Sequence, residues 1–253
     1  MSVDLTGLGT SEAQWQAWSG LAELPELALP GAPGGPPSPD QVVLVAPHPD
    51  DEMLGAGGTA AMLAAAGVAV VVVAVTGGEA SHPGSRTVTP GQLLRRRCAE
   101  RAAGLGHLGL AGSGLVSCAI ADGGVEMCIE QLTDTLAGLL SERSWCLAPW
   151  SRDGHPDHDA TGRAAAAAAA CTGAHRLSYL VWTWHWARPA DARVPWDNAV
   201  KVPLPQRIWQ AKLAAVGEFT SQTVPLSAHS GDRAVLPPPV LHRLTRSFEV
   251  FLR

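Results

Sequence analysis

Short apolar runs and longer segments with helical spacing alternate along this chain. The apolar runs predict strands, because a strand covered on both faces has a continuous hydrophobic sequence. They lie at 42–46, 68–76, 145–149 and 177–186, with a weaker run near 114–120. The helical segments lie at 55–66, 92–105, 125–141, 157–172 and 206–219. This alternation predicts an α/β fold with a Rossmann-like, mostly parallel sheet and helices on both faces.

The two ends of the chain follow other patterns. Residues 11–24 have helical spacing, and a stretch rich in proline and glycine follows at 30–37. We therefore expect residues 1–39 to form an N-terminal helix and linker, and residues 40–253 to form a single domain. The tail at 247–252 alternates between apolar and polar positions, which is typical of an edge strand.

Composition excludes several classes of protein. The 253 residues are 46% hydrophobic, enough to bury a sizeable core. The net charge is −5 and no Lys/Arg stripe is present, so we expect no nucleic-acid partner. The five cysteines include no Cys-x-x-Cys pair, which indicates thiols in a reducing cytosol and a cytoplasmic protein. The uncharged run 53–78 contains glycines that favour a helix and a strand over a membrane span.

Two short clusters of histidine and aspartate carry the candidate chemistry. The first, at 46–52, is Ala-Pro-His-Pro-Asp-Asp-Glu and directly follows the first predicted strand. The second, at 154–159, is Gly-His-Pro-Asp-His-Asp. Open α/β sheets place their ligand sites at the carboxyl ends of strands. The position of the first cluster therefore favours an active site.

The first cluster and one histidine of the second can hold a metal ion. Two imidazoles and one carboxylate suit a catalytic divalent ion, which lowers the pKa of a bound water from about 15.7 to about 7. His48, Asp51 and His158 can provide this set. His48 and Asp51 are three residues apart and can point to one centre, which leaves Asp50 free as a general base. Both Zn²⁺ and Fe²⁺ suit these ligands.

The second cluster offers further groups. We assign His155 to the stabilisation of an oxyanion, and Asp157 can hold an imidazole in one tautomer through its ring N–H. The alternative is that each histidine caps a helix or lies satisfied in the core. Two dense clusters at predicted strand ends favour the site.

With these motifs the chain resembles the PIG-L (LmbE-like) family of metal-dependent N-deacetylases. The hallmark motifs of that family are Pro-His-Pro-Asp-Asp-Glu after the first strand and His-Pro-Asp-His further on, and both are present unbroken. The resemblance covers about residues 40–225 and includes the glycines at 55–58 and the loop 76–79.

This resemblance implies a mechanism for residues 40–253 as a catalytic domain. A zinc or iron ion would lie on His48, Asp51 and His158. Asp50 would deprotonate the water that attacks an acetamide carbonyl, and His155 would help to stabilise the oxyanion. The products would be acetate and a free amine, which takes its proton from Asp50.

One departure bears on the substrate. Members that resemble the mycothiol-pathway deacetylase have a tyrosine two residues before the first histidine of the second motif, where this chain has Asp153. The stretch 150–155 looks closer to members that act on amino-sugar groups of natural products. The resemblance therefore favours an N-acetylated glycoside, of N-acetylglucosaminyl type, as the small-molecule partner. The sequence gives no signal for an oligomeric state.

Three residues are candidate substrate contacts. Glu79 and His82 lie on the loop after the second strand, which should border the pocket. Trp182, Trp184 and Trp186 alternate on the strand predicted at their position and would share one face, where an indole could stack on a sugar ring. We take Trp184 as the third contact. The alternative is that these indoles belong to the core or to an oligomer interface.

Other functions compete with this interpretation. Residues 55–60 satisfy the dinucleotide-binding pattern G-x-G-x-x-A, and Glu79 follows about twenty residues later. However, Asp50, Asp51 and Glu52 would repel a pyrophosphate at that helix start, which disfavours an NAD-dependent oxidoreductase. A non-catalytic sugar- or metal-binding module would have no need of Asp50. An amidase that acts on another N-acyl conjugate stays open.

Overall fold

A seven-stranded sheet organises the protein. The computed structural model describes residues 5, 7–32 and 34–253. The strands are β1 (Gln41–Ala46), β2 (Ala69–Thr76), β3 (Gly114–Ile120), β4 (Ser144–Pro149), β5 (His175–Tyr179), β6 (Ala199–Pro203) and β7 (Phe248–Leu252). They lie in the order β3-β2-β1-β4-β5-β7-β6. Strands β1 to β5 are parallel and β7 runs antiparallel to both of its neighbours. The predicted mostly parallel sheet is therefore confirmed.

Helices connect the strands. They are α1 (Glu12–Gln16), α2 (Ser19–Ala22), α3 (Asp51–Gly55), α4 (Gly57–Ala65), α5 (Pro90–His107), α6 (Ile129–Leu139), α7 (Pro156–Thr172), α8 (Thr183–Trp186), α9 (Gln206–Gly217), α10 (Thr220–Thr223) and α11 (Pro238–Leu244). Across the part of the chain that the structure describes, no helix is long and apolar enough to cross a membrane.

Both faces of the sheet are covered, because successive side chains of a strand point to opposite sides. On β1, Val42 and Leu44 face one hydrophobic cluster, to which α4, α5 and α9 contribute. Val43 and Val45 face a second cluster, to which α6 and α7 contribute. The apolar run of the strand thus reflects burial on two sides, and the polar residues that follow it emerge at one edge of the sheet.

Glycines let the first helices approach the sheet closely. The helix predicted at 55–66 is observed as α4, and the separate short helix α3, which was not predicted, precedes it. A Cβ at Gly55 would lie 2.2 Å from the ring of Tyr179, and a Cβ at Gly58 would lie 2.6 Å from the side chain of Leu204. A larger residue at Gly55 would therefore overlap the Tyr179 ring, whereas one at Gly58 would require the Leu204 side chain to move.

The N-terminal segment packs on the same core. The helix predicted at 11–24 consists of α1 and α2. Trp15 is fully buried, and its indole donates a hydrogen bond to the carbonyl of Trp184 at 3.0 Å. The Trp15 ring also contacts Trp18 and Trp196. The division of the chain after residue 39 stays a prediction.

Two predicted strands were wrong in detail. The run 177–186 leaves the sheet after Tyr179, because the next backbone N–H groups donate to the buried carboxylate of Asp153, and the chain then forms α8. The tail was predicted as an edge strand, but β7 lies between β5 and β6. The prediction missed β6, which covers the outer side of β7.

Candidate active site

The first cluster forms the turn between β1 and α3. This turn is fixed to the neighbouring strand, since the backbone N–H and the hydroxyl of Thr76 both donate to the carbonyl of Pro47, at 3.0 and 2.8 Å. The backbone N–H of His48 donates to Asp51 Oδ2 at 2.9 Å. The first cluster thus lies at the carboxyl end of the sheet, as predicted.

The predicted metal ligands converge on one point. Asp51 Oδ2 lies 3.1 Å from His48 Nδ1 and 3.0 Å from His158 Nε2. His158 Nε2 is buried and makes no hydrogen bond, although Asp51 Oδ2 lies 3.0 Å away. An unpartnered buried nitrogen beside a carboxylate and a second imidazole fits a divalent cation. The donor set therefore suits the ion that the sequence predicted.

Charge around these ligands is negative. Burial opposes the protonation of His158, but the Asp51 and Asp153 carboxylates outweigh it and raise the pKa of the imidazole to about 9. Burial also opposes the ionisation of Asp51, yet the two histidines hold the pKa of this carboxyl well below its usual value. A site with this excess of negative charge attracts a cation.

The other ring nitrogen of His48 faces two further carboxylates. Its Nε2 lies 3.2 Å from Asp122 Oδ1 and 3.2 Å from Asp157 Oδ2. Asp157 is therefore placed to fix the tautomer of His48, which leaves Nδ1 free for a metal ion. That role of Asp157 stays a prediction. Asp122, which lines the same pocket, was not identified from the sequence.

Two other groups of residues could hold a metal ion, since the ligand atoms within each group lie within 4.8 Å of one another. One comprises His48, His155 and His158, and the other comprises His48, Asp122 and Asp157. In the second group, backbone N–H groups already donate to Asp122 Oδ2 at 2.8 Å and to Asp157 Oδ2 at 2.7 Å. We favour the set with Asp51, since its oxygen lies between both imidazoles.

Asp50 has a backbone conformation that is unusual for a residue with a side chain. Its φ is 123°, and such strain is frequent at active sites. Its Oδ2 lies 3.1 Å from Arg97 Nη2, which also donates to the carbonyl of Pro49 at 2.6 Å. Burial raises the pKa of Asp50 to about 7, against the lowering effect of Arg97. Arg97 lies on α5 and holds the carboxylate in place, a contact that the sequence did not predict.

His155 is the N-cap of α7 and also lines the pocket. Its Nδ1 accepts a hydrogen bond from the backbone N–H of Asp157 at 3.2 Å. This contact assigns the ring proton to Nε2. Burial, together with His158 and His48, lowers the pKa of His155 to about 3. At neutral pH the residue is therefore an uncharged hydrogen-bond donor.

Comparison with protein families shows which family has this sequence pattern. The PIG-L family, described as GlcNAc-PI de-N-acetylase, matches residues 43–169, which are about half of the chain and include both clusters. The chain belongs to the PIG-L family. A comparison with curated protein sequences found no match.

Solved structures share this PIG-L fold. The N,N'-diacetylchitobiose deacetylase from Pyrococcus horikoshii aligns with a TM-score of 0.55 and 21% identity, over 71% of this chain and 69% of that one. A teicoplanin deacetylase in a zinc-inhibited form aligns at 0.63 and 17%, over 84% and 97%. A conserved protein from Thermus thermophilus aligns at 0.51 and 28%, over 72% and 80%.

The predicted substrate contacts lie at different depths in this PIG-L domain. Glu79 Oε1 accepts from the backbone N–H of Asp122 at 3.0 Å, and His82 Nε2 lies 3.1 Å from the carbonyl of Arg233. Both residues support loops beside the pocket and do not line it. Trp184 is 4% exposed and packs in the core against Trp15. The three tryptophans do not share a strand face, because 183–186 is helical.

Trp182 takes the place that was predicted for Trp184. It lines the pocket, and its ring stacks near that of His155, with centroids 6.3 Å apart and an interplanar angle of 23°. The residue just before α8 thus points to the pocket, whereas Trp184 points to the core.

The helix start that resembled a dinucleotide site is already filled. The Glu249 carboxylate accepts from the backbone N–H groups of Gly58 and Thr59, both at 2.8 Å. Lys212 Nζ lies 2.6 Å from the same carboxylate. A side chain of the protein therefore occupies the position that a pyrophosphate would need, which argues against NAD binding.

Proposed function

We propose that this protein is a metal-dependent hydrolase that removes the acetyl group from an N-acetylated amino sugar, of N-acetylglucosaminyl type. The observation that carries the proposal is the convergence of His48, Asp51 and the unpartnered His158 Nε2 beside Asp50. Membership of the PIG-L family supports it. The similar structures named as deacetylases of chitobiose and teicoplanin support an amino-sugar substrate.

Each residue has a defined task in the proposed reaction. A divalent cation on His48, Asp51 and His158 would supply a Lewis acid that activates water and polarises an amide carbonyl. We favour Zn²⁺, and Fe²⁺ also fits these ligands. Asp50, with a pKa of about 7, takes a proton from the attacking water. His155 donates its Nε2–H to the oxygen of the acetamide as negative charge develops there, an interaction worth about 3 kcal/mol in comparable sites.

The same groups complete the reaction. Asp50 returns its proton to the nitrogen as the C–N bond breaks, so that acetate and a free amine leave. Arg97 keeps the Asp50 carboxylate within reach of both water and nitrogen.

The five cysteines, all unpaired, support the cytoplasm as the compartment of the proposed enzyme.

Release of primary amine from N-acetylglucosamine compounds tests the proposal. We expect chelator-treated protein to be inactive and to regain activity with Zn²⁺ or Fe²⁺. The variant Asp50→Asn should bind one metal ion per chain without turnover, whereas Asp134→Asn, on the exposed face of α6, should behave as the native protein. If Asp50→Asn lost the metal as well, or kept its activity, the assigned role would be wrong.

A further inference from the structure

The pocket above the catalytic groups is lined by two chemically different sets of residues. It has a volume of about 460 Å³. The polar set includes His48, Asp50, Asp122 and His155. The apolar set, which we call the apolar wall, consists of Leu5, Leu54, Val181, Trp182, Val235 and Leu236. The residues of the wall come from four separate parts of the chain, so this surface is not the by-product of one exposed element.

The apolar wall begins next to the reacting groups. The Trp182 ring stacks near His155, which donates to the acetamide in the proposed reaction. The backbone N–H of Trp182 donates to the buried Asp153 carboxylate at 2.9 Å, which fixes the position of the residue. On the other side of the wall, the N–H of Leu236 donates to the carbonyl of Gln222 at 2.9 Å. Both sides are thus held by backbone contacts before any ligand binds.

The volume of the pocket suits a ligand of drug size. Sites that enclose drug-sized ligands have volumes of about 300 to 1,000 Å³ and are lined mostly by apolar side chains. The pocket of this protein lies within that range. An amino sugar whose acetamide meets His155 would leave the apolar wall in contact with whatever the sugar carries.

The charges of the pocket disfavour an anionic substrate. Among the described residues, Arg97 is the single lysine or arginine that lines the pocket. Its two terminal nitrogens are occupied by the carbonyls of Gly78 and Pro49 and by the Asp50 carboxylate. With Asp50 and Asp122 also facing the pocket, a phosphate or carboxylate held away from the proposed metal ion would meet like charge and no side-chain cation with a free terminal nitrogen.

We propose that the substrate carries an uncharged apolar group, aryl or alkyl, on its amino sugar, and that the apolar wall binds this group. This inference rests on the proposed deacetylase function. Trp182 and Val235 determine the preference, since both line the pocket and are only partly buried in the protein itself. The wall thus selects neutral apolar glycosides over phosphorylated ones.

Matched glycosides test the preference. Methyl, phenyl and octyl glycosides of N-acetylglucosamine, in both anomers, and N-acetylglucosamine 1-phosphate differ only in the group that would meet the wall. We expect kcat/KM to rise about ten- to a hundredfold from methyl to phenyl or octyl, through KM, as burial of such a group predicts. We expect the phosphate to be the poorest substrate of the series.

Variants assign the effect to the wall. Trp182→Ala and Val235→Ser should reduce the ratio of kcat/KM between phenyl and methyl glycosides. Val224→Ser, a change at an exposed valine outside the pocket, is the matched control and should leave the ratio unchanged. Circular dichroism confirms that the variants are folded.

The outcomes separate the two proposals. Equal kcat/KM for methyl, phenyl and octyl glycosides, or a preference for the phosphate, would overturn the role of the wall and leave deacetylation in place. A preference for phenyl that survives in both variants would also overturn it. If no compound released an amine, the proposed function would fail, and this inference with it.

Discussion

Asp153 connects the second cluster to the segment that carries Trp182. Its carboxylate is fully buried and accepts hydrogen bonds from the backbone N–H groups of Val181, Trp182 and Thr183. Oδ2 also lies 2.9 Å from His158 Nδ1. A carboxylate here requires His158 to carry its proton on Nδ1, so that the lone pair of Nε2 is directed to the metal position. Asp153 thus aligns a ligand and shapes the pocket.

Replacement of Asp153 by asparagine should weaken metal binding. The amide oxygen can still accept from the N–H groups of Val181 and Thr183, which donate to Oδ1, but the NH₂ group takes the place of Oδ2 and faces both His158 Nδ1 and the N–H of Trp182. This favours the tautomer with the proton on Nε2, which cannot bind a metal. We expect the affinity for Zn²⁺ to fall about 10- to 100-fold.

Competition with a chromogenic chelator measures this affinity. The control is Asp134→Asn, which makes the same change at an exposed site. Unchanged affinity in Asp153→Asn would show that the tautomer is set by another group.

The proximity of the three candidate metal ligands was predictable because its signal is local. His48 and Asp51 are three residues apart on one turn, and His158 lies in an equally dense cluster. Arg97 and Asp122 gave no such signal, since α5 and the loop after β3 bring them to the site only through the tertiary fold. Their contacts depend on the packing of distant segments, which spacing along the chain does not report.

At the scale of elements, close packing of α7 positions both histidines of the second cluster. A Cβ at Gly162 would lie 2.6 Å from the carbonyl oxygen of Pro149 and 2.6 Å from the backbone nitrogen of Ser151. These atoms belong to the end of β4 and cannot move as a flexible side chain would. The helix therefore lies directly on the strand end, with His155 and His158 on its first turn.

Two glycine substitutions in helices should have opposite effects. Gly162→Ala should destabilise the protein by about 1 to 3 kcal/mol, since the new methyl group overlaps backbone atoms. Gly138→Ala, on α6 with no atom within 4 Å of the added Cβ, should stabilise it by about 0.5 to 1 kcal/mol. Urea denaturation measures both. Similar shifts in the two variants would mean that helix propensity, and not packing, controls α7.

The ion pair between α9 and β7 anchors the last strand to α3 and α4. Lys212 and Glu249 are each 1% exposed in their side chains, and Lys212 Nζ also donates to the carbonyl of Leu54 at 2.9 Å. The removal of one partner leaves an unpaired buried charge, which costs about 3 to 5 kcal/mol. We expect such losses in Lys212→Met and in Glu249→Gln, whose amide can still accept from the start of α4.

The double variant shows whether the two charges are coupled. Because Lys212→Met with Glu249→Gln leaves no unpaired charge, its loss in the free energy of unfolding should be clearly smaller than the sum of the single losses. Urea denaturation of the native protein and the three variants gives the coupling energy. Additive losses would mean that the contact contributes nothing specific.

The sheet itself was predictable, but its last strands were not. A continuous apolar run predicts a buried strand, and β1, β2 and β4 agree with that rule. The run at 177–186 obeyed the same rule and is still divided, because the Asp153 carboxylate captures its backbone N–H groups. Likewise, Glu249 alternates with apolar neighbours on β7 as an edge residue would, yet it is buried against α4. Buried polar partners override the pattern in both cases.

At the scale of the whole molecule, the site concentrates negative charge that a cation must balance. The carboxylates of Asp51, Asp122, Asp153 and Asp157 surround the imidazoles of His48 and His158. Without a metal ion, protons on the imidazoles perform this task. Burial opposes that protonation, but the pKa of His48 is still raised well above its usual value by Asp122, Asp157 and Asp51. Protons and a metal ion would therefore compete for the same imidazole nitrogens.

The gain in stability from bound metal should increase with pH. The pKa of His158 is about 9 in the folded protein against 6.5 normally, so its protonation stabilises the metal-free fold fully below about pH 6.5. That contribution is lost as the pH rises to about 9. Asp50, whose pKa is raised to about 7, acts in the same direction, since its ionisation also destabilises the fold. Metal binding requires deprotonated ligands and strengthens over the same range.

Thermal unfolding with and without an excess of Zn²⁺, at about pH 6.5 and about pH 8.5, measures this competition. The difference between the two melting temperatures should widen at the higher pH, because deprotonation of the ligands lowers the Kd of the metal. Free metal at a hundred times its Kd adds about 2.7 kcal/mol to the stability. His158→Gln, which lacks the imidazole, should show a small difference at both pH values. An equal difference in the native protein at both pH values would mean that protons and the metal bind independently. The metal ligands would then be residues other than His48, Asp51 and His158.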